Sequence, residues 1–277
     1  MVTRTSFSLD HVCTGDGTEL KLHCWHSSGA DVAVFYIHGI QSHGGWLFET
    51  GPALAARGVE LHVLDRRGSG RSGGPRGHLP SVDAVLDDCD AALARLRPRY
   101  RRIVVVGQSF GGSVLAAWRA RGPLPVDALV FCAPALGQQR RRHDDTALGE
   151  LRRRAGLTMT PVRLKDEDYT SDPRYLTLLA ADPLMLRSIT DRTRAVMVEL
   201  EDRYVAGWPP HDDPVFLATP AQDRIIDLPT ARQVLTTLAP SATERKFVAD
   251  GHYIEFTDAR RDYWDWLAAL VRGGRER

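Results

Sequence analysis

Apolar and polar residues along the chain follow two periods in turn, and these predict alternating strands and helices. Continuous apolar runs at 32–37 and 103–106 are typical of strands buried on both faces of a parallel sheet. Residues 46–57 and 80–97 instead repeat apolar positions at helical spacing. The same criteria predict strands at 59–64, 126–132, 214–219 and 243–249 and helices at 113–118, 227–239 and 257–272. The sequence therefore predicts an α/β fold with a mostly parallel central sheet flanked by helices.

The start of the chain follows a different pattern, because residues 6–26 alternate polar and apolar positions around Gly15-Asp16-Gly17. An Asp-Gly pair between two alternating segments is typical of a β-hairpin. We therefore expect a hairpin before the first parallel strand.

The alternation of strands and helices stops between residues 135 and 210. This segment shows no clear strand, and its helical patterns lie at 173–189 and 191–206. We predict a core domain made of residues 1–134 and 211–277, with 135–210 inserted as a helical cap over the edge of the sheet.

Charge is balanced over the whole chain, with 36 Lys and Arg against 35 Asp and Glu. Such a balance argues against a nucleic-acid partner. The runs Arg140–Arg142 and Arg152–Arg154 are interpreted as solvated faces of the cap, in preference to a binding patch.

No part of the sequence resembles a targeting or membrane segment. Residues 1–10 lack the apolar stretch of a signal peptide, and no apolar run approaches the length of a membrane span. The four cysteines are scattered, with no CxxC pair, at positions 13, 24, 89 and 132. We expect a cytoplasmic protein with reduced thiols and no stable membrane association.

The stretch Gly107-Gln108-Ser109-Phe110-Gly111 joins a predicted strand to a predicted helix. A Gly-x-Ser-x-Gly sequence in that position is typical of a nucleophile elbow, where a strained turn exposes the serine hydroxyl. Glycine two positions to either side leaves room for the turn and for close approach of helix and strand. Ser109 is therefore the candidate nucleophile.

A serine nucleophile needs a histidine base and a carboxylate that orients this base. The chain offers Ser109, Asp223 and His252 in the order Ser, Asp, His, and each follows a predicted strand. Asp227 also follows the strand at 214–219, but it precedes a helical pattern and suits a helix N-cap better. We expect Asp223 to be the triad acid and His252 the base.

Six short motifs resemble the α/β-hydrolase superfamily and, within it, the monoacylglycerol lipase or lysophospholipase-like branch. They are His38-Gly39, Asp65-x-x-Gly68-x-Gly70-x-Ser72, Gly107–Gly112, Asp182-Pro183-Leu184, Ala221–Arg224 and Gly251-His252. The resemblance covers nearly the whole chain.

The resemblance implies an oxyanion hole made by the backbone amides of Ile40 and Phe110. His38 is then a structural residue, and Asp65 and Arg66 are interpreted as a structural loop network. One position departs from the branch, because Gln108 stands where a histidine is common before the nucleophile.

We expect a serine hydrolase that cleaves carboxylic esters with short-to-medium acyl chains, or monoacylglycerol-like esters. Leu186, Ile189 and Met197, at roughly helical spacing in the cap, are the candidate substrate-binding residues. The reaction needs no cofactor and no metal. The remaining histidines that we considered as ligands lack metal-binding spacing; they are His43, His78, His143 and His211. The partner is a small-molecule ester, and the protein is expected to be a monomer or a homodimer.

Other functions have to be weighed against ester hydrolysis. A thioesterase, or a biosynthetic cyclase or acyltransferase, would form the same acyl-enzyme but pass it on differently. A ligand-binding protein without turnover has no need for a complete triad. Epoxide hydrolases and dehalogenases are disfavoured, because they need a carboxylate at the position of Ser109.

Overall fold

The computed structural model describes residues 4–210 and 212–273. His211, and the first and last residues of the predicted core domain, lie outside the described residues. Eight strands form one sheet: β1 (Thr5–Cys13), β2 (Glu19–Ser27), β3 (Val32–Ile37), β4 (Glu60–Leu64), β5 (Arg102–Gln108), β6 (Ala128–Cys132), β9 (Val215–Pro220) and β10 (Thr243–Phe247). Two further strands, β7 (Met159–Pro161) and β8 (Ser188–Thr190), form a separate small sheet.

The described residues also form ten α-helices. They are α1 (Thr50–Ala56), α2 (Val82–Leu96), α3 (Phe110–Arg121), α4 (Gln138–Arg142), α5 (Asp145–Arg152), α6 (Asp166–Tyr169), α7 (Pro173–Ala181), α8 (Asp191–Val205), α9 (Leu228–Leu238) and α10 (Arg260–Val271). Helix α1 packs beside α10, whereas α2 packs beside α3, which in turn contacts α8.

The large sheet has the order β1-β2-β4-β3-β5-β6-β9-β10. Strand β2 runs antiparallel to both of its neighbours, and every pairing from β4 to β10 is parallel. The predicted hairpin and the mostly parallel sheet are therefore confirmed. Because the parallel strands share a direction, the loops that follow β3, β5, β9 and β10 meet at one edge of the sheet.

The central strands could be predicted from the sequence because they are buried. Every residue of β3, β4 and β6 is buried, as is every residue of β5 after Arg102. Strands covered by helices on both faces have no solvent side, so their sequences become continuous apolar runs.

The expectation of no strand between 135 and 210 is wrong. Strands β7 and β8 pair antiparallel, with Met159 opposite Thr190 and Pro161 opposite Ser188. The helix predicted over 173–189 also ends early, at Ala181. Asp182 has an extended backbone (ψ 107°), as expected for a residue that precedes proline. The domain boundaries at 134 and 211 stay a prediction.

Candidate active site

Ser109 lies between the end of β5 and the start of α3, in a backbone conformation that is rare for a residue with a side chain. Its φ is 54° and its ψ is −120°. Such a conformation is strained and persists only where the surroundings hold it. Here the Ser109 amide donates to the Cys132 carbonyl at 3.0 Å, and the Ser109 carbonyl accepts from the Ala135 amide at 2.8 Å. The elbow predicted from the sequence therefore exists as a strained turn.

The glycines around Ser109 are required by close packing. A Cβ atom on Gly111 would lie 1.9 Å from the carbonyl oxygen of Ile37, and one on Gly107 would lie 2.7 Å from the carbonyl oxygen of Gly111. Neither position can hold a larger residue unless the backbone shifts. This is the close approach of helix and strand that the motif predicts.

His252 and Asp223 form a buried pair. Asp223 Oδ2 accepts a hydrogen bond from His252 Nδ1 at 2.8 Å, and both side chains are fully buried. Asp223 Oδ1 accepts from the amides of Ile225 and Ile226 at 2.8 and 3.0 Å. Burial alone would raise the pKa of the Asp223 carboxyl, but His252 and the two amides outweigh it and lower this pKa below its ordinary value. With Asp223 ionised, its carboxylate accepts the hydrogen bond from His252 Nδ1, and Nε2 is then the imidazole nitrogen that carries the lone pair.

The side chain of Gln108 lies against the other nitrogen of His252. Gln108 Nε2 is 3.3 Å from His252 Nε2, whereas Gln108 Oε1 is buried without a hydrogen-bond partner. Gln108 immediately precedes Ser109, so this contact brings the imidazole to the elbow. The only sequence signal for the contact was that Gln108 departs from the usual histidine.

Asp227, the rival carboxylate, caps a helix as predicted. It is the N-cap of α9, and its side chain accepts from the Thr230 amide at 2.9 Å. Asp223, and not Asp227, is therefore the carboxylate that contacts His252.

The loop after β3 is held by a buried arginine. Arg66 donates from Nη1 to the Gly39 carbonyl and from Nη2 to the Ile40 carbonyl, each at 3.0 Å. Its guanidinium carbon also lies 5.0 Å from the centre of the Phe110 ring. Arg66 therefore links the loop after β3 to the first residue of α3, beside the elbow.

His38 and Asp65 support the same loop without joining the His252 pair. His38 Nε2 accepts from the backbone amide of Arg66 at 3.2 Å. Burial, followed by the charge of Arg66, holds the pKa of His38 well below its ordinary value, so this imidazole is neutral. Asp65 accepts from the Gly44 amide at 2.6 Å and from the Arg71 amide at 2.8 Å. The interpretation of Asp65 and Arg66 as a structural network is confirmed.

A cavity of about 530 Å³ opens above the elbow, and Ser109, Ile40 and Phe110 all line it. Phe110 is the first residue of α3, so its amide has no acceptor within the helix. A serine at a strained turn, two amide-bearing residues beside it and a buried His-Asp pair thus meet at one edge of the sheet.

A family model described as "Serine aminopeptidase, S33" (Hydrolase_4) matches residues 28–253. The chain belongs to this hydrolase family.

Similar proteins include several lipases. The monoacylglycerol lipase of Mycolicibacterium smegmatis is 32% identical over 165 residues, which is 55% of this chain and 55% of that protein. The matched stretch therefore spans about half the length of that relative. A soluble variant of the monoglyceride lipase from Saccharomyces cerevisiae, solved with a substrate analogue, has a TM-score of 0.80 at 14% identity and covers 100% of this chain and 98% of its own. The monoacylglycerol lipase of Paleococcus ferrophilus has a TM-score of 0.77 at 18% identity, over 97% and 99% of the two chains.

These similarities show that this S33-family hydrolase has the α/β-hydrolase fold. At sequence identities of 14% and 18%, the likeness to the solved structures is evidence for the fold only, and not for the activity. Among residues 4–210 and 212–273, no helix combines the length and apolarity that a membrane span requires.

Two of the three predicted substrate-binding residues of this hydrolase line the cavity. Ile189 and Met197 contribute to its wall, but Leu186 does not. The Leu186 amide donates to the Gln41 carbonyl at 2.9 Å, and the Leu186 carbonyl accepts from Gln41 Nε2 at 2.8 Å. These bonds hold Leu186 against the loop after β3. The prediction that Leu186 binds substrate is therefore not supported by its position, because it does not line the cavity.

Basic residues contribute much of the remaining cavity wall, and the sequence did not predict this. They are Arg142, His143, Arg154, Arg163 and Arg194. Arg142 and Arg154 come from the two arginine runs that we interpreted as solvated faces; both are exposed as expected, and both also line the cavity. Their neighbours Arg140 and Arg152 do act structurally, because both pair with Asp202 of α8.

Proposed function

We propose that this chain is a serine hydrolase that cleaves carboxylic esters through an acyl-enzyme. The observation that carries the proposal is the buried His252–Asp223 pair, which contacts the elbow through Gln108 while Ser109 faces a cavity. The family membership and the lipases among the similar proteins support it.

The proposed reaction begins when Ser109 Oγ attacks the ester carbonyl and His252 Nε2 takes the hydroxyl proton. Asp223 orients the imidazole and stabilises its charged form. The amides of Ile40 and Phe110 donate to the oxyanion. His252 then protonates the leaving alcohol. Water, activated by the same imidazole, finally releases the acid from Ser109.

The cavity fits a short-to-medium ester or a monoacylglycerol-like one. Its volume of about 530 Å³ lies within the usual range for small-molecule sites. Ile189 and Met197 offer apolar surface for an acyl chain. The similar proteins named monoacylglycerol lipases support the monoacylglycerol-like alternative.

Aminopeptidase activity, which the family description names, fits the cavity poorly. A peptide N-terminus carries a positive charge, which a carboxylate in the cavity would stabilise and nearby guanidinium groups would oppose. Among the described residues that line the cavity there is no Asp or Glu, while there are four arginines. A cationic substrate would therefore be repelled.

A fluorophosphonate probe tests the proposal directly. We expect it to modify Ser109, as shown by peptide mass spectrometry, and Ser109→Ala to abolish both labelling and ester turnover. Ser113→Ala is the matched control, because Ser113 lies within α3 and donates to the Ala135 carbonyl at 2.8 Å. Labelling that survives in Ser109→Ala would overturn the assignment. Esters and thioesters with the same acyl chain, compared on the wild type, decide between esterase and thioesterase.

A further inference from the structure

The charges around the cavity do not balance. Four guanidinium groups line it, from Arg142, Arg154, Arg163 and Arg194. Within the described part of the chain, Asp191 is the one carboxylate that forms an ion pair with any of them, through Arg154 at 2.9 Å. The wall beside Ser109 therefore carries an excess of positive charge.

The arginines without an ion pair are only partly satisfied by backbone carbonyls. Arg142 donates to the Ile225 carbonyl at 2.8 Å, and Arg194 donates to the Pro161 carbonyl at 2.9 Å. Arg194 Nε is buried without a partner. Arg163 is exposed and forms no hydrogen bond or ion pair with the other described residues. Donors remain available on this wall.

These groups are also close enough to repel one another. Burial, followed by the charge of Arg154, lowers the pKa of the Arg194 guanidinium; Asp191 opposes this shift, and Arg163 adds to it. Like charges that face one cavity raise the free energy of the empty site, and an anion bound between them would remove this repulsion.

We propose that the preferred ester carries a small anionic group, a phosphate or a carboxylate, which Arg163 and Arg194 bind while the ester carbonyl lies at Ser109. This inference rests on the proposed ester hydrolysis and specifies its substrate class. Guanidinium groups suit such a ligand, because their forked donors match the oxygens of phosphate and carboxylate.

Three esters with one acyl chain test the proposal. They are monobutyrylglycerol, its 3-phosphate, and the butyryl ester of glyceric acid, and butyrate release is measured for each. We expect kcat/KM to be at least about tenfold higher for one anionic ester than for the neutral one, because a hydrogen bond to a charged group is worth about tenfold or more. Whichever anionic ester is faster identifies the anion.

Two matched variants locate the effect. Arg163→Met should reduce the ratio of kcat/KM between anionic and neutral esters by about tenfold. Arg153→Met is the control, because Arg153 is an exposed arginine of the same cap that does not line the cavity. It should leave the ratio unchanged. Equal ratios in Arg163→Met and wild type, or an equal loss in both variants, would overturn the proposal.

A second measurement does not depend on turnover. Glycerol 3-phosphate should slow fluorophosphonate labelling of Ser109 in the wild type more than glycerol does, and this difference should shrink in Arg163→Met. Equal kcat/KM for neutral and anionic esters overturns the anionic substrate but leaves ester hydrolysis standing. Failure of Ser109 to react with the probe at all would instead overturn the ester hydrolysis on which the inference rests.

Discussion

The central sheet and the segment between β6 and β9 are held together by different forces. Strands β3 to β6 are buried along almost their whole length and are joined by regular parallel pairing. The segment between β6 and β9 uses short helices, a small sheet and partly exposed ion pairs, such as Arg152–Asp202 and Arg192–Glu199. An exposed ion pair contributes about 0–1 kcal/mol, while burying one large apolar side chain contributes about 1.5–3 kcal/mol.

The two regions also contribute different parts of the candidate active site. The strained turn at Ser109 and the His252–Asp223 pair are held by the rigid sheet and its loops. Most of the cavity wall comes from the segment between β6 and β9. We infer that the sheet determines the chemistry and that this segment determines which substrate reaches it.

The largest expected effect comes from a carboxylate at the sheet edge. Asp223→Asn should lower kcat by about 10³–10⁴-fold, because an amide no longer fixes the proton of His252 on Nδ1. The fold should persist, since the asparagine oxygen can still accept from Ile225 and Ile226. Steady-state kinetics on an activated ester and a thermal melt measure both effects.

Asp227→Asn is the matched control for this variant. It should keep most of the activity and cost about 1 kcal/mol of stability or less, because asparagine is also a good N-cap. The reverse ranking of the two variants would show that Asp227 supplies the acid.

A pair of glycines tests how rigid the two regions are. Gly111→Ala should destabilise the protein by about 3 kcal/mol or more, because its Cβ would lie 1.9 Å from a backbone oxygen of β3. Gly149→Ala, in α5, should instead stabilise it by about 0.5–1 kcal/mol, since the nearest atom is the end of Arg153 at 3.6 Å. Urea unfolding of both variants gives the two values. If they lose similar stability, the contrast between the regions is wrong.

A smaller effect is expected from acid. Burial would raise the pKa of Asp65, but its interaction with His23, followed by His38 and the Arg71 amide, lowers this pKa to about 2, from 3.8. Because the folded pKa is the lower one, Asp65 stabilises the folded state above about pH 4 and loses this contribution as the pH falls toward 2. The full contribution is about 2 kcal/mol.

Urea unfolding at about pH 5 and about pH 3 measures the contribution of Asp65 to the free energy of unfolding. Wild type should lose more stability between the two pH values than Asp65→Asn does. Asp258→Asn is the control, because the Asp258 side chain is fully exposed, and it should follow the wild type. An acid response in Asp65→Asn as steep as that of wild type would contradict the assignment.

The sheet could be predicted from the sequence because its local signals agree with its packing. The apolar runs of β3 and β5 reflect burial on both faces, and the glycines at 107 and 111 reflect a contact within the same turn. Asp223 and His252 could be selected by their order and by their positions after strands. Their orientation follows from a topology that brings the ends of β5, β9 and β10 to one edge.

The segment between β6 and β9 could not be predicted to the same extent. Strands β7 and β8 have only three residues each, too few to show a period, and their pairing joins positions about 30 residues apart. Arg163 and Arg194 stand outside the arginine runs and reach the cavity only after this segment has folded. Nothing local in the sequence distinguishes them from solvated arginines.

The entry and exit of this segment lie side by side in the sheet. Strands β6 and β9 are neighbours, Leu129 pairs with Val215, and the Ala133 amide donates to the Ala218 carbonyl at 2.9 Å. A stretch whose two ends already touch can be lengthened, shortened or traded for another without re-threading the strands, because the entropy of closing a loop grows only slowly with its length. In the course of evolution, a protein of this fold can therefore change its substrate preference by replacing the one continuous segment between β6 and β9. The sheet and the loops that carry Ser109, Asp223 and His252 are then inherited unchanged.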